Sequence, residues 1–146
     1  MRRPYRTRVI DKPPHIRGFK PLGRGKRSRT KIKLSLDEYE AVRLADFLGM
    51  EHLHAAEKMG ISRPTFTRLI EKARYKIAAA LIDGLELSIA GGNIEFKNTL
   101  RKCLDCGDES ISPFKKRIAE CSECGSSNFE DLAALYLDES NEKEEE

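Results

Sequence analysis

The sequence predicts a mainly α-helical fold: a helix-turn-helix domain with a basic N-terminal arm and a small β-hairpin, followed by a small four-cysteine ribbon. Three observations carry this prediction: a steep charge gradient, helical apolar periodicity on both sides of a Gly-Ile-Ser turn, and paired Cys-x-x-Cys segments. At 146 residues the chain has room for one ordinary domain or two small modules. We divide it into the arm, the helical domain with the hairpin, the ribbon and an acidic tail expected to be disordered, at residues 1–34, 35–97, 98–137 and 138–146.

The charge of the chain is distributed unevenly. Residues 1–33 carry thirteen Lys or Arg and one acid, for a local charge of +12. Residues 34–99 carry eight basic and ten acidic residues, for a charge of −2, and residues 100–146 carry six basic and thirteen acidic residues, for a charge of −7. The three local charges sum to the net charge of +3. A dense basic front end is typical of a nucleic-acid-binding arm. We expect it to neutralise phosphates or to enter the minor groove, through Arg2, Arg3, Arg6 and Arg8. A flexible solubilising tail is the alternative.

A first helix is predicted from Leu36 to about Leu48. Ser35 and Glu38 have the Ser-x-x-Glu spacing of a capping box, in which each side chain bonds a backbone N–H of the other residue. Gly49 suits the end of this helix. Its buried side is predicted to comprise Tyr39, Val42, Leu44, Ala45 and Leu48.

Two further helices are predicted around the turn Gly60-Ile61-Ser62. The first runs from Glu51 to Met59, and the second from Arg63 to about Ile82. Gly60 permits a left-handed residue at the end of the first helix, and Ser62 can cap the second. The inner stripe of the second helix is predicted to be Phe66, Ile70, Ala73 and Ile77.

Cations lie on the outer face of that second helix. A helix-turn-helix places the start of its second helix in the major groove, where Arg can bind guanine and Thr can contact a base or a methyl group. We therefore predict base contacts from Arg63, Thr67 and Arg68, a further DNA contact from Thr65, and phosphate contacts from Lys72, Arg74 and Lys76. An ordinary turn between two helices, with a merely solvated cationic face, is the alternative.

Strands are predicted before and after the helices. Short strands at Thr7–Ile10 and Lys31–Leu34 lie inside the arm, where Pro and Gly exclude a long helix. Apolar residues alternate at Leu85–Ile89 and again at Ile94–Phe96, with the turn-forming Gly91–Asn93 between them. This pattern predicts the small β-hairpin. A last short helix or strand is expected at residues 132–137.

The only four cysteines form two Cys-x-x-Cys-Gly segments separated by fourteen residues. This spacing is typical of a closed tetrahedral Cys₄ zinc site with a structural role, with the ligands Cys103, Cys106, Cys121 and Cys124. Disulfides are the alternative, as is an iron site of the rubredoxin or iron–sulfur type. His52 and His54 would face different sides of a helix, so we assign them surface or capping roles.

The longest apolar run, Ile77–Ile82, has six residues, against about twenty for a membrane span. Since no secretory signal is recognised either, we expect a cytoplasmic protein with no membrane partner. No grouping of nucleophile, base or carboxylates has a spacing that specifies chemistry, so we expect no enzymatic activity.

Several short motifs match one known family in combination. They are Arg3-Pro4, Phe19-Lys20-Pro21-Leu22-Gly23, Leu36-Asp37-Glu38-Tyr39-Glu40-Ala41, Arg43-Leu44-Ala45-Asp46, Met59-Gly60-Ile61-Ser62-Arg63 and Gly91-Gly92. In these motifs the chain resembles a prokaryotic domain-of-unknown-function family, number 134, whose helix-turn-helix is like that of sigma-factor region four. The resemblance implies DNA binding and no specific target. Pro64 departs from the family, which often has a polar base-contacting residue there.

The predicted function is that of a DNA-binding transcriptional regulator that contacts duplex DNA through the helix-turn-helix. RNA polymerase and a second copy of the chain are further candidate partners. Two other classes stay open: an RNA- or ribosome-associated zinc protein, and an iron or redox sensor using the Cys₄ site.

Overall fold

The computed structural model describes residues 7–23 and 30–142 of the chain. Its α-helices are α1 (Leu36–Val42), α2 (His52–Met59), α3 (Arg63–Asp83) and α4 (Leu132–Glu142), and a π-helical turn (Arg43–Phe47) continues α1. Its strands are β1 (Arg8–Ile10), β2 (Gly18–Phe19), β3 (Lys31–Leu34), β4 (Glu86–Ile89), β5 (Ile94–Phe96), β6 (Asn98–Cys103), β7 (Glu109–Pro113) and β8 (Phe129–Asp131).

The prediction of a mainly α fold is wrong, because the described residues form eight strands in three small sheets beside the helices. All but β6 have two to five residues, too short for a clear alternating pattern. The strands predicted at Thr7–Ile10 and Lys31–Leu34 are confirmed as β1 and β3. The described part of the basic arm therefore belongs to the folded domain.

The predicted hairpin is also wrong, because β4 and β5 belong to different sheets. β4 lies between β2, to which it is antiparallel, and β3, to which it is parallel. β5 instead pairs in parallel with β1. Gly91 marks the bend: its φ is +81°, and a Cβ there would lie 2.8 Å from Lys33 Nζ. The turn residues redirect the chain between sheets, and the strand partners come from the distant arm.

The capping box at the start of α1 is confirmed. Ser35 Oγ accepts a hydrogen bond from the Glu38 backbone N–H at 3.4 Å, and Glu38 Oε1 accepts one from the Ser35 N–H at 3.0 Å. The buried side of α1 differs from the predicted one, since Tyr39, Val42 and Ala45 are only half-buried and Leu48 is exposed. Leu44 is buried as predicted, and the other buried residues are Leu36, Asp37, Glu38, Glu40 and Ala41.

Three of those buried residues are acidic, and each carboxylate has a partner. Asp37 pairs with Arg8 at 2.5 Å, and Glu38 pairs with Lys76 at 2.6 Å. Glu40 accepts bonds from Arg43 Nε at 2.5 Å and from the Asp11 backbone N–H at 2.6 Å. Such pairing is what makes carboxylate burial tolerable.

The helices α2 and α3 pack over a small core that they share with Ala41 of α1 and Leu44 of the π-helical turn. Phe66, Ile70 and Ala73 are buried as predicted, Ile77 is half-buried, and Leu69 joins the stripe. At 21 residues α3 is the longest described helix, yet neither it nor any other has the length and apolarity needed to cross a membrane.

The C-terminal part is a three-stranded antiparallel sheet in the order β7, β6, β8, followed by α4. α4 extends to Glu142, into the acidic segment expected to form the tail, while residues 143–146 lie outside the described part. Ala133 and Tyr136 of α4 are buried in the same cluster as Ile10 and Phe96. The ribbon is thus packed against the preceding domain.

Candidate nucleic-acid interface and metal centre

The turn between α2 and α3 has the geometry that its sequence predicts. Gly60 has φ +69° and ψ +31°, the left-handed conformation that glycine adopts without strain, and the Ile61 N–H donates to the Ala56 carbonyl at 3.0 Å. Ser62 Oγ accepts from the Thr65 N–H at 3.3 Å and caps α3. Met59 is fully buried beneath the turn. The two helices are therefore held in a fixed relation.

Free cations lie on the outer face of the first half of α3. Arg63, Arg68 and Lys72 are exposed, and none of them has an ion-pair partner among the described residues. Pro64 is exposed between them. Their charges are available to an anionic partner.

Both predicted threonines are half-buried and already hydrogen-bonded. Thr65 Oγ1 lies 2.8 Å from Ser62 Oγ, and Thr67 Oγ1 lies 3.1 Å from Nδ1 of His52. His52 also packs edge-on against Phe66, with the ring centroids 5.3 Å apart. His52 therefore does more than the surface or capping role that was predicted, because its side chain joins α2 to α3. His54 is exposed.

The other predicted cationic contacts are engaged within the fold. Arg74 forms a two-point pair with Asp46 at 3.0 and 2.6 Å, and the hydrogen bond from Arg74 lowers the pKa of Asp46 below its ordinary value. Lys76 donates to Glu38 and, at 2.9 Å, to the Lys33 carbonyl. Arg8 is paired with the buried Asp37. Arg74, Lys76 and Arg8 are therefore each paired with a carboxylate inside the fold.

One acid also lies on the outer face of α3. Glu71 is exposed and falls between Arg63 and Arg68 on the helical wheel, on the side of Arg68 away from Lys72. The Glu71 carboxylate repels an anionic partner unless it accepts a specific hydrogen bond, such as one from the amino group of cytosine. The predicted arm contacts Arg2, Arg3 and Arg6 lie outside the described residues.

The structure brings all four predicted cysteine ligands together. Their sulfur atoms lie within 4.8 Å of one another, with Cys103 and Cys124 at 3.6 Å and Cys106 and Cys121 at 3.7 Å. A disulfide requires about 2.0 Å, so all four are free thiols. Four sulfurs bound at about 2.3 Å to one tetrahedral ion would lie about 3.8 Å apart. The cluster therefore fits a metal ion.

Each Cys-x-x-Cys segment is closed by its following glycine, which donates its N–H to the carbonyl of the first cysteine at 2.9 Å. The two segments are also tied together, since the Leu104 N–H donates to the Asn128 carbonyl at 2.9 Å. The ligand geometry is thus set by backbone hydrogen bonds.

The thiols differ in acidity. The backbone N–H of Cys106 is the main cause that lowers the pKa of Cys103 to about 7. The N–H of Asp108 acts in the same direction on Cys106, but burial and the other three thiols outweigh it and raise the pKa of Cys106 to about 12. One thiolate forms readily, whereas several together need a compensating cation.

The fold and these two sites define a small α+β protein with a cationic two-helix surface and a four-cysteine candidate metal centre. The chain belongs to the family described as "Protein of unknown function DUF134", whose model matches residues 1–97. No solved structure matches the chain.

Relatives in bacteria and archaea share most of its length, and each is called "UPF0251 protein". One from Chloroherpeton thalassium is 49% identical over 93% of this chain and 90% of its own. One from Methanothermobacter thermautotrophicus is 41% identical over 92% of this chain and 69% of its own. One from Pelotomaculum thermopropionicum is 39% identical over 88% and 97%, respectively.

Proposed function

We propose that the protein binds duplex DNA through α2 and α3 and acts as a transcriptional regulator. The observation that carries the proposal is the set of exposed cations Arg63, Arg68 and Lys72 in the first half of a capped helix, next to a rigid turn, with no ion-pair partner among the described residues. A helix so placed can enter the major groove with its N-terminal residues toward the bases. RNA polymerase and a second copy of the chain are proposed as further partners.

The residues have separate roles in this proposal. Arg63 and Arg68 bind base edges, where a guanidinium can form two bonds to guanine, and Lys72 neutralises a phosphate. Thr65 and Thr67 offer their methyl groups, since their hydroxyls are bonded inside the motif. Arg2, Arg3 and Arg6 are proposed to contact phosphates from the arm. Arg8, Arg74 and Lys76 are left out because they are paired internally.

The metal centre is proposed to hold a structural Zn²⁺ ion. The sulfur separations of 3.6 and 3.7 Å support a tetrahedral ion, and four cysteine ligands leave no position for a reactive water. Iron fits the same donor set, and visible absorption of the purified protein would reveal it. We place the protein in the cytoplasm, where thiols stay reduced, and we propose no catalytic activity.

The test is selection of bound fragments from a random duplex pool, followed by binding measurements on the selected site. We expect affinity to fall steeply with salt, and Arg68→Ala to relax sequence preference while keeping part of the affinity. Lys97→Ala is the matched control, because Lys97 is exposed and lies outside α2 and α3. Equal binding of every duplex, or stronger binding of structured RNA in competition, would overturn the proposal.

A further inference from the structure

A large apolar cavity lies on the other half of α3. It has a volume of about 1050 Å³ and is bounded by the sheet of β2, β3 and β4, by α1 and by the C-terminal half of α3. Sites for small ligands usually have about 300–1,000 Å³ and mostly apolar walls. The walls here include Leu34, Tyr39, Val42, Ile77, Ala80 and Leu87. The cavity is therefore large enough for a long aliphatic chain.

Several large apolar side chains around the cavity are left in contact with water. Leu22 is 99% exposed, Phe47 82%, Leu81 78% and Phe19 60%. Isolated exposed apolar residues are ordinary, but a group of them around one cavity marks a binding surface. A hydrophobic occupant would remove both the walls and these side chains from water.

The charges around the cavity have one sign. Lys12, Lys20 and Arg43 line it together with His15, and no Asp or Glu is among its described lining residues. Arg43 is already bonded to Glu40, whereas Lys12 and Lys20 have no carboxylate partner in the part of the chain that the structure describes. Two cations therefore remain for an anionic head group.

Tyr39 adds a hydrogen-bond donor to this lining. Its hydroxyl makes no hydrogen bond to another described residue, and burial raises its pKa above the ordinary value. The hydroxyl thus stays protonated and can donate a hydrogen bond to a carboxylate oxygen.

We propose that this cavity binds a free long-chain carboxylate, with the aliphatic chain against the apolar walls and the carboxylate near Lys12 and Lys20. A second copy of the chain fits the same surface less well, because self-association would bring one cationic rim toward another. The inference does not depend on DNA binding, since the cavity and the cations Arg63, Arg68 and Lys72 lie at different ends of α3.

The test compares three amphiphiles with the same chain and different heads on the full-length protein: dodecanoate, dodecanol and dodecyltrimethylammonium, each kept below micelle formation. Calorimetry and NMR titration should show saturable dodecanoate binding, about tenfold or more tighter than that of the cationic analogue. A Lys12→Gln/Lys20→Gln variant should bind dodecanoate only about as well as dodecanol. Equal affinity for all three heads would overturn the proposal.

A second pair of variants locates the site. Ala80→Phe should fill the cavity and abolish dodecanoate binding, whereas Ala78→Phe, on an exposed position of the same helix, should not. Circular dichroism would show that both variants are folded. Unchanged binding by Ala80→Phe would overturn the proposal. So would a dimer that Ala80→Phe dissociates in the absence of ligand, or binding only to anionic vesicles.

Discussion

His52 Nδ1 lies 3.1 Å from Thr67 Oγ1, and this hydrogen bond joins the two helices of the proposed DNA-binding motif across fifteen residues of chain. The imidazole also contacts the edge of Phe66, the central apolar residue of the motif. His52 therefore links α2 to α3 and helps to orient the Thr67 side chain.

We expect His52→Ala to destabilise the protein by about 1–2 kcal/mol, the sum typical of one hydrogen bond and one aromatic contact. Urea unfolding measures this change. His54→Ala is the matched control, because His54 is exposed on the same helix and its loss should change stability by less than about 0.5 kcal/mol. Equal effects of the two substitutions would show that neither the hydrogen bond to Thr67 nor the ring contact with Phe66 stabilises the fold.

Glu71 should weaken DNA binding in the wild-type protein, because it places a negative charge among the cations of the outer face of α3. We expect Glu71→Gln to raise affinity for duplex DNA about threefold at low salt and less at high salt. Filter binding at two salt concentrations measures the change. Glu95→Gln, also exposed but on β5, should leave affinity unchanged. If Glu71→Gln instead lowered affinity, and did so only for the duplex sites selected from the random pool, Glu71 would be assigned to a base contact.

The local features of the proposed interface could be predicted from the sequence. The Gly60 turn, the Ser62 cap and the start of α3 at Arg63 depend on interactions between residues a few positions apart, which a sequence pattern displays directly. The four-cysteine cluster could be predicted equally well, because each Cys-x-x-Cys-Gly segment contains the turn that brings its own two thiols together.

The long-range features could not be predicted in the same way. The parallel pairing of β1 with β5 joins residues more than eighty positions apart, and nothing in either short segment specifies the other. Tyr136 donates a hydrogen bond to the Ile16 carbonyl at 2.8 Å, which ties α4 to the arm. The burial of Asp37 and Glu38 is not predictable from the local sequence, because carboxylates are rarely buried without partners and their partners Arg8 and Lys76 lie far away in the chain.

The pair of Lys76 with Glu38 should be one of the main polar contributions to stability. Removing one member of a buried ion pair leaves the other charge uncompensated, so we expect Lys76→Met to cost about 3 kcal/mol. The Glu38 side chain is only 3% exposed, which makes rehydration of its carboxylate difficult. Denaturant unfolding measures the loss, and Lys72→Met, with no partner among the described residues, should change stability by under about 0.5 kcal/mol.

The double variant Glu38→Gln/Lys76→Met tests the cause. A glutamine keeps the capping box and removes the charge, so the double variant should be more stable than Lys76→Met alone. If Lys76 were instead a phosphate contact, Lys76→Met would lower DNA affinity without changing the unfolding midpoint.

Removal of the metal should unfold the ribbon. The four sulfur atoms lie within 4.8 Å of one another, and thiolates gathered so closely repel one another when no cation compensates their charge. We expect one ion per chain by elemental analysis and loss of the amide signals of β6, β7 and β8 after chelation. Because Tyr136 of α4 is anchored on the arm, chelation should also lower the unfolding temperature of the whole protein.

Cys103→Ser should reproduce the effect of chelation, since the buried Cys103 is one of the four proposed ligands. Ser122→Ala is the matched control, because Ser122 is exposed between two ligands and supplies no ligand atom. An unfolding temperature that is the same with and without metal would show that the ion does not stabilise the fold. A Cys103→Ser variant that still holds one ion per chain at full affinity would show that Cys103 is not a required ligand.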